Sequence, residues 1–498
     1  MQIFLKSPSR HAPSNWIQKL AGDAPSGRML RLAALLVACA FAWGGSARSD
    51  VASLEILRPL AIIALGLALF TIRGAHIRNY RAPLGIALAC IALLAFQLVP
   101  LPPELGNALA GRGLVAEIDG AIGLNEVWRP LTQSAPATQN SLWGLLVPLS
   151  MLAIGVQLAA TDHARLLLVI LAVGATSAVV ALLQTLGDPQ GALYLYDITN
   201  FGSAVGLFAN RNHQAVFLAC LIPLILAAVD LRKSRFGPSG MAHKKGDSWL
   251  ISAVGAVAFL AALILITGSR SGLLAGVIAL FSLAALLPTA KKFTGSGGFL
   301  HSRKVQLGLG VALIGALTLA TVWLERDLAI ERILDRDQGE GMRSLILPAM
   351  RDMIWLYRPW GIGLGAFRDV YEVNEPAKLL MGLHMNQAHN DWLDIALTGG
   401  LTAIGIAAVA IGAWLVRARQ IFLVEAPDQF NLLRKAGLIV LLILAFSSLF
   451  DYPTRTPALA CLFVLAAIGA SLPIERVVKG KPSGNAPLSH QHFASQGN

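Results

Sequence analysis

The sequence predicts an all-α, polytopic integral membrane protein with about twelve membrane-spanning helices. Three observations predict it. The 498 residues are 55% hydrophobic and only 14% charged, whereas water-soluble domains carry about 25% charged residues. Apolar runs near the roughly 20 residues that a helix needs to cross hydrocarbon recur along the chain, ended by charged or Pro/Gly-rich stretches. The short connections on one side are basic, as the positive-inside rule requires of cytoplasmic loops.

The spans read as 29–45, 54–72, 82–101, 142–160, 164–186, 213–229, 249–267, 271–287, 305–324, 397–416, 436–450 and 457–473. An even number places both ends of the sequence on one side. Arg73, Arg78 and Arg81 fall there, as do Arg232, Lys233, Arg235, Lys244 and Lys245. Lys291, Lys292, Arg303, Lys304, Arg417, Arg419, Arg434 and Lys435 follow, with Arg476, Lys479 and Lys481 after the last span. That side is expected to be cytoplasmic. The net charge of +12 is therefore a topological signal, and it does not argue for nucleic acid. Ala38 and Ala40 are spaced like a signal-peptidase site, but the polar stretch before them is long and another span follows at once, so a retained first helix is expected.

The opposite side carries two long connections, 102–140 and 325–396. Loops beyond about 12–15 residues are usually functional or disordered. In the second, Leu345, Ile346, Ala349, Met350, Met353, Ile354 and Tyr357 recur at helical spacing, which predicts a large, partly helical loop apposed to the membrane. The organisation follows: a cytoplasmic segment 1–28, an N-terminal membrane half 29–194, a catalytic membrane region 195–473, and a polar, disordered tail 474–498. Cys39, Cys90, Cys220 and Cys461 sit inside apolar runs without CxxC spacing and read as core residues.

Chemistry-bearing residues gather at the non-cytoplasmic ends of spans. Phe208-Ala209-Asn210-Arg211-Asn212-His213 precedes the sixth, and Thr267-Gly268-Ser269-Arg270-Ser271-Gly272 is the whole turn between the seventh and eighth. His389-Asn390-Asp391-Trp392-Leu393-Asp394 leads into the tenth. A boundary arginine can simply snorkel to the interface. Arg270 has almost no spacer around it, so its guanidinium stands between two helix ends and needs a polar cavity or a partner. Arginine suits bidentate phosphate binding, and two on one face could clamp a diphosphate. His389 is either a polar residue at a helix entrance, with Asn390 as the N-cap, or a general base. Asp335-Arg336-Asp337 forms a DxD, which in soluble glycosyltransferases holds a metal and a nucleotide sugar; on this side of a membrane that reading is disfavoured. Gly361-Ile362-Gly363-Leu364-Gly365 lacks the dinucleotide fingerprint and predicts a tight re-entrant turn. Walker A, HExxH and GxSxG motifs are absent from the sequence.

In order, "LFANRNH", "TGSRSG", "RPWGIGLGAF", "HNDWLDIALTGG" and "FDYPTRTPAL" resemble the bacterial O-antigen ligase and O-antigen polymerase superfamily, over roughly Leu195 to Pro473. "LVPLPPEL" in the first long connection resembles its N-terminal half. The resemblance implies a GT-C-like, metal-independent membrane glycosyltransferase with no cofactor, in the bacterial inner membrane with its site facing the periplasm. Such enzymes move a glycan from a polyprenyl (undecaprenyl) diphosphate donor to a hydroxyl of a lipid core, a glycan or a protein. They do so as ligase or polymerase in the assembly of O-antigen, lipopolysaccharide or exopolysaccharide, alongside membrane lipids and other polysaccharide-assembly proteins. By resemblance Arg211, Arg270 and His389 are catalytic, and Arg343, Asn210, Asn390, Asp451, Tyr452 and Arg455 bind substrate. Thr398 stands where many members have Glu, so that residue's role does not transfer. The competing readings are a transporter or lipid-linked oligosaccharide flippase, which should show repeat symmetry and polar groups near the midplane, and a structural scaffold.

Overall fold

A computed structural model describes residues 25–236, 240–286, 338–376, 386–423 and 428–474. The span 305–324, the DxD at Asp335 and Asp337, the N-terminal segment to residue 24 and the tail from residue 475 lie outside the described residues. The chain is helical almost throughout, and its one sheet among the described residues is a two-stranded antiparallel pair. The order is α1 (Pro25–Trp43), α2 (Leu54–Leu69), α3 (Gly74–Asn79), α4 (Arg81–Gln97), β1 (Pro100–Leu101), α5 (Pro103–Asn107), α6 (Gly113–Ala121), β2 (Arg129–Pro130), α7 (Ala135–Gly144), α8 (Leu146–Gly155) and α9 (Ala160–Leu186). There follow α10 (Arg211–Phe236), α11 (Gly240–Ile266), α12 (Arg270–Leu286), α13 (Gln338–Leu356), α14 (Phe367–Asn374), α15 (Asp391–Leu423), α16 (Asn431–Ser447), a 3₁₀ turn (Pro453–Arg455) and α17 (Pro457–Ser471).

Three of these helices, α9, α10 through Arg232, and α15, are long and apolar enough by themselves to cross a membrane; α4, α11, α12 and α17 contain shorter apolar helices. The predicted span 142–160 is two helices, α7 and α8, broken at Leu145. Pro148 explains the break, because it has no N–H to give the carbonyl of Gly144 four residues earlier.

Helix α10 is the centre of the bundle. Residues from Ala215 to Ile222 are buried without interruption. It packs against α9, α11, α12 and α16. Small residues let it approach closely: a Cβ on Gly272 of α12 would fall 2.2 Å from Ala215, and one on Gly174 of α9 would fall 2.4 Å from Leu221. This is how helices associate where lipid removes the hydrophobic drive between them. Outer helices instead expose apolar faces, Ile62, Ile63 and Leu67 on α2 and Leu401, Val409 and Val416 on α15. That pattern suits a hydrocarbon surround.

At one end of the bundle, Arg417 and Arg434 finish α17. Arg434 donates to the Leu472 carbonyl at 3.0 Å and pairs with Asp428 at 2.7 Å, and Arg417 donates to the Ala470 carbonyl at 2.7 Å. The last carbonyls of a helix carry partial negative charge and have no partner within it, so cations there are favourable.

At the other end the long connection forms a small apolar core of its own. Ile346, Met350, Met353 and Tyr357 turn inward against Phe367, Val370 and Tyr371. The amphipathic reading of α13 is accounted for by this face, while Leu347, Trp355 and Leu356 stay exposed. The glycine-rich turn then locks this unit onto α15. Ile362 and Gly363 donate to the carbonyls of Leu397 and Thr398 at 3.0 and 2.9 Å, and Leu401 donates to the Pro359 carbonyl at 2.8 Å. Helix α15 kinks at Gly400, whose φ is 60°, and the carbonyls freed there are the ones the turn satisfies. Gly363 sits at φ 104°, and a Cβ on it would lie 1.8 Å from Thr132 Oγ1.

Gly400→Ala should therefore destabilise the protein by at least about 2 kcal/mol, from left-handed strain and a collision with the Pro359 carbonyl. Gly405→Ala, with open space around it, should be neutral or stabilising by up to about 1 kcal/mol. Thermal unfolding of the two variants in detergent checks the contrast.

Candidate functional site

Four helices begin around one turn, each on a polar N-cap. Asn210 accepts from the Asn212 N–H of α10 at 2.8 Å, and Ser269 from the Gly272 N–H of α12 at 2.9 Å. Asn390 accepts from the Leu393 N–H of α15 at 3.1 Å, and Thr456 from the Leu459 N–H of α17 at 3.3 Å. Capping satisfies donors that a helix start otherwise leaves unpaired. It also fixes what comes next: Arg211 and Arg270 are the first helical residues after their caps. The Gly272–Ala215 contact sets those two N-terminal turns side by side. Both arginines are half-buried. Helix N-termini carry partial positive charge, so this end of the bundle favours anions.

The turn they surround is Asp451-Tyr452-Pro453-Thr454-Arg455. Asp451 is 1% exposed. Its Oδ2 accepts from Asn212 Nδ2 at 2.8 Å and lies 3.9 Å from His213 Nε2. Its Oδ1 lies 3.4 Å from His389 Nδ1, an ionic contact longer than a good hydrogen bond. The Tyr452 ring packs against both imidazoles, with centroids 5.3 Å from His213 and 5.0 Å from His389. Burial pushes the Asp451 carboxyl up, but the contact with His389, the nearness of His213 and the Asn212 amide outweigh it. The carboxyl is held well below the usual carboxylate range and stays ionised.

Arg455 is engaged on three sides. Its Nε donates to Asp391 at 2.9 Å, its Nη2 meets Asp394 at 2.8 Å, and its Nη1 donates to Gln387. Burial alone would lower its pKa, but Asp394 and Asp391 outweigh that and hold the guanidinium firmly charged. The start of α15 is tied further to the end of α16: the Asp391 N–H donates to the Ser448 carbonyl at 2.9 Å and Trp392 Nε1 to the Ala445 carbonyl at 2.9 Å. Thr398 donates to the Asp394 carbonyl at 2.6 Å and closes the same half-helix.

These ties force His389 into an unusual backbone. Its φ is 48°, and among the described residues no other non-glycine residue has positive φ. Strain of this kind costs about 1–3 kcal/mol and persists only where surrounding contacts over-determine it, as functional sites often do.

The family comparison covers part of this architecture. Residues 255–410 match the O-antigen ligase family model. That match supports the O-antigen ligase and polymerase superfamily. No curated protein matches the chain. The matched region of this O-antigen ligase domain includes Arg270, Arg343 and His389; Arg211 and the Asp451–Arg455 turn lie beyond it. Members of that family are membrane glycosyltransferase-like ligases or polymerases, and the matched domain, with the apolar helices around it, supports a multi-pass membrane protein with an O-antigen ligase-like function in polysaccharide assembly.

Of the residues named from sequence, the structure brings Asn210, Arg211, Arg270, His389, Asn390, Asp451, Tyr452 and Arg455 to this end of the bundle. Arg343 lies on α13, and its side chain is outside the described residues. The sequence motifs carry no assigned role for Asn212, His213, Asp391 or Asp394, although all four stand inside them. Their signal was spacing: Asp391 and Asp394 lie three apart and so share a helix face, where one arginine can bridge them.

Arg455→Ala leaves two buried carboxylates without their cation. It should destabilise the protein by about 3–5 kcal/mol, with Arg455→Lys recovering only part because one ammonium cannot span the fork. Thermal stability in a defined detergent measures both.

Proposed function

We propose that the protein transfers a glycan from a polyprenyl diphosphate, such as undecaprenyl diphosphate, to a hydroxyl acceptor on the periplasmic face of the bacterial inner membrane. The transfer serves surface polysaccharide assembly, as ligase or polymerase. One observation carries the reading: a histidine oriented by a buried aspartate stands at the same helix-start cluster as Arg211 and Arg270.

The acceptor oxygen attacks the anomeric carbon while the bond from that carbon to the diphosphate oxygen breaks. The bonding electrons leave with the diphosphate. Attack from the face opposite the leaving group inverts the anomeric centre. His389 takes the hydroxyl proton on Nε2, because Nδ1 is turned to Asp451. The Asp451 carboxylate stabilises the imidazolium that forms, as an orienting acid does in other histidine dyads. Arg211 and Arg270, with the N-termini of α10 and α12, meet the charge developing on the diphosphate. A metal is not required in that role. Arg455 already bridges Asp391 and Asp394, the carboxylate pair nearest to a cation site in this cluster. Arg455 serves the substrate at one remove, by fixing the turn that carries His389. Asn210 and Asn390 hold the two helix starts, and Tyr452 supports the His389 ring.

His389→Ala and Arg270→Ala membranes, with insertion verified, should transfer lipid-linked glycan at least about a hundredfold more slowly than wild type. Arg211→Ala should lose a comparable factor, and Arg270→Lys should retain part of the rate because charge survives without the fork. Transfer is read as product glycan per unit time from a purified lipid-linked donor. Wild-type rates in the His389 and Arg270 variants would refute the reading.

A further inference from the structure

The connection between α1 and α2 carries an arginine to which neither the family match nor the proposed mechanism assigns a role. Its backbone is threaded between two of the four capped helix starts. The Ala209 N–H, next to the cap of α10, donates to the Gly45 carbonyl at 3.2 Å, and the Ala458 N–H of α17 donates to the Gly44 carbonyl at 3.0 Å. The Gly45 N–H donates to the Tyr196 hydroxyl at 2.7 Å. There is no room to loosen the fit, since a Cβ on Gly45 would lie 2.1 Å from the Leu207 carbonyl oxygen. Ser53 closes the connection by donating to the Trp43 carbonyl at 2.6 Å.

Three residues beyond Gly45, Arg48 leaves this clamped segment. Its N–H donates to Ser46 Oγ at 3.3 Å, which sets the direction of the chain. The guanidinium lies within electrostatic reach of Tyr452. It is held by Asp50 in a two-point contact, Nε to Oδ1 at 2.9 Å and Nη2 to Oδ2 at 2.5 Å. The arginine side chain is 33% exposed and the aspartate 61%.

An exposed carboxylate holds an arginine weakly, because water and salt compete for both. A diphosphate offers the same planar fork more oxygens and more charge. We propose that Arg48, which pairs with Asp50, is a third arginine of the donor site and exchanges that carboxylate for the donor diphosphate when it binds. Arg48 grips the leaving group's phosphates and takes no part in proton transfer. The inference rests on the donor proposed above.

The test is direct binding of a glycan-free polyprenyl diphosphate to the full-length protein in nanodiscs, with the polyprenyl monophosphate as comparison. Wild type should prefer the diphosphate. Arg48→Ala should weaken diphosphate binding about tenfold while leaving the monophosphate within about twofold. Asp50→Asn, which frees the guanidinium, should tighten diphosphate binding about threefold. Equal diphosphate affinity in wild type and Arg48→Ala would overturn the inference alone. Unchanged or weaker binding in Asp50→Asn would overturn the exchange and mark the pair as a structural staple. A wild-type protein without preference for the diphosphate would instead overturn the donor reading itself.

Discussion

A carboxylate buried at the end of an apolar bundle cannot stand alone, and Asp451 is the one around which this end of the molecule is arranged. Burying an ionised carboxylate without partners costs far more than any single contact returns. Asp451 meets that constraint by drawing Asn212 and His213 from α10 and His389 from the turn before α15. Four residues on, Arg455 does the converse, a cation that requires Asp391 and Asp394. One five-residue turn thereby ties together α10, α15 and α17, which lie far apart in sequence. The strained backbone of His389 is a consequence, since the residues on either side of it are already committed.

The rest of the fold supplies rigidity to that turn. Close helix contacts at Gly272 and Gly174 hold α10 upright among its neighbours. The glycine-rich turn at 361–365 grips the kink of α15, so the short half-helix bearing Asp391, Asp394 and Thr398 is held from both ends. Discontinuous helices whose N-termini point at a site recur where membrane proteins bind anions, because the positive helix end is then held within the protein. At the opposite end Arg417 and Arg434 close α17 against its own carbonyls. The basic residues that signal orientation in the sequence thus also perform local work.

The helices were legible from sequence because hydropathy is a local property: a helix stands at each predicted span within the described residues. The break at Leu145 was missed because run length ignores what Pro148 does to a helix. The site was legible only as a list. Topology brings Arg211, Arg270 and His389 to one face, but it does not pair Asp451 with His389, which are separated by more than sixty positions. Nor does it show that two aspartates engage the charge of Arg455. The role of the glycine-rich turn was half visible: its tightness follows from composition, whereas its grip on Gly400 is a tertiary fact. Arg48 was passed over because a short Gly/Ser-rich link between two spans reads as a plain turn, and nothing local shows that it is threaded between two helix caps.

The coupling of Asp451 to His389 is the claim on which the chemistry turns, and a double-mutant cycle measures it most directly. Transfer rates from a purified lipid-linked donor are compared for wild type, Asp451→Asn, His389→Ala and the double variant. If the aspartate works through the histidine, the double variant transfers no more slowly than His389→Ala alone. If the two losses multiply, the residues act independently and the account is wrong.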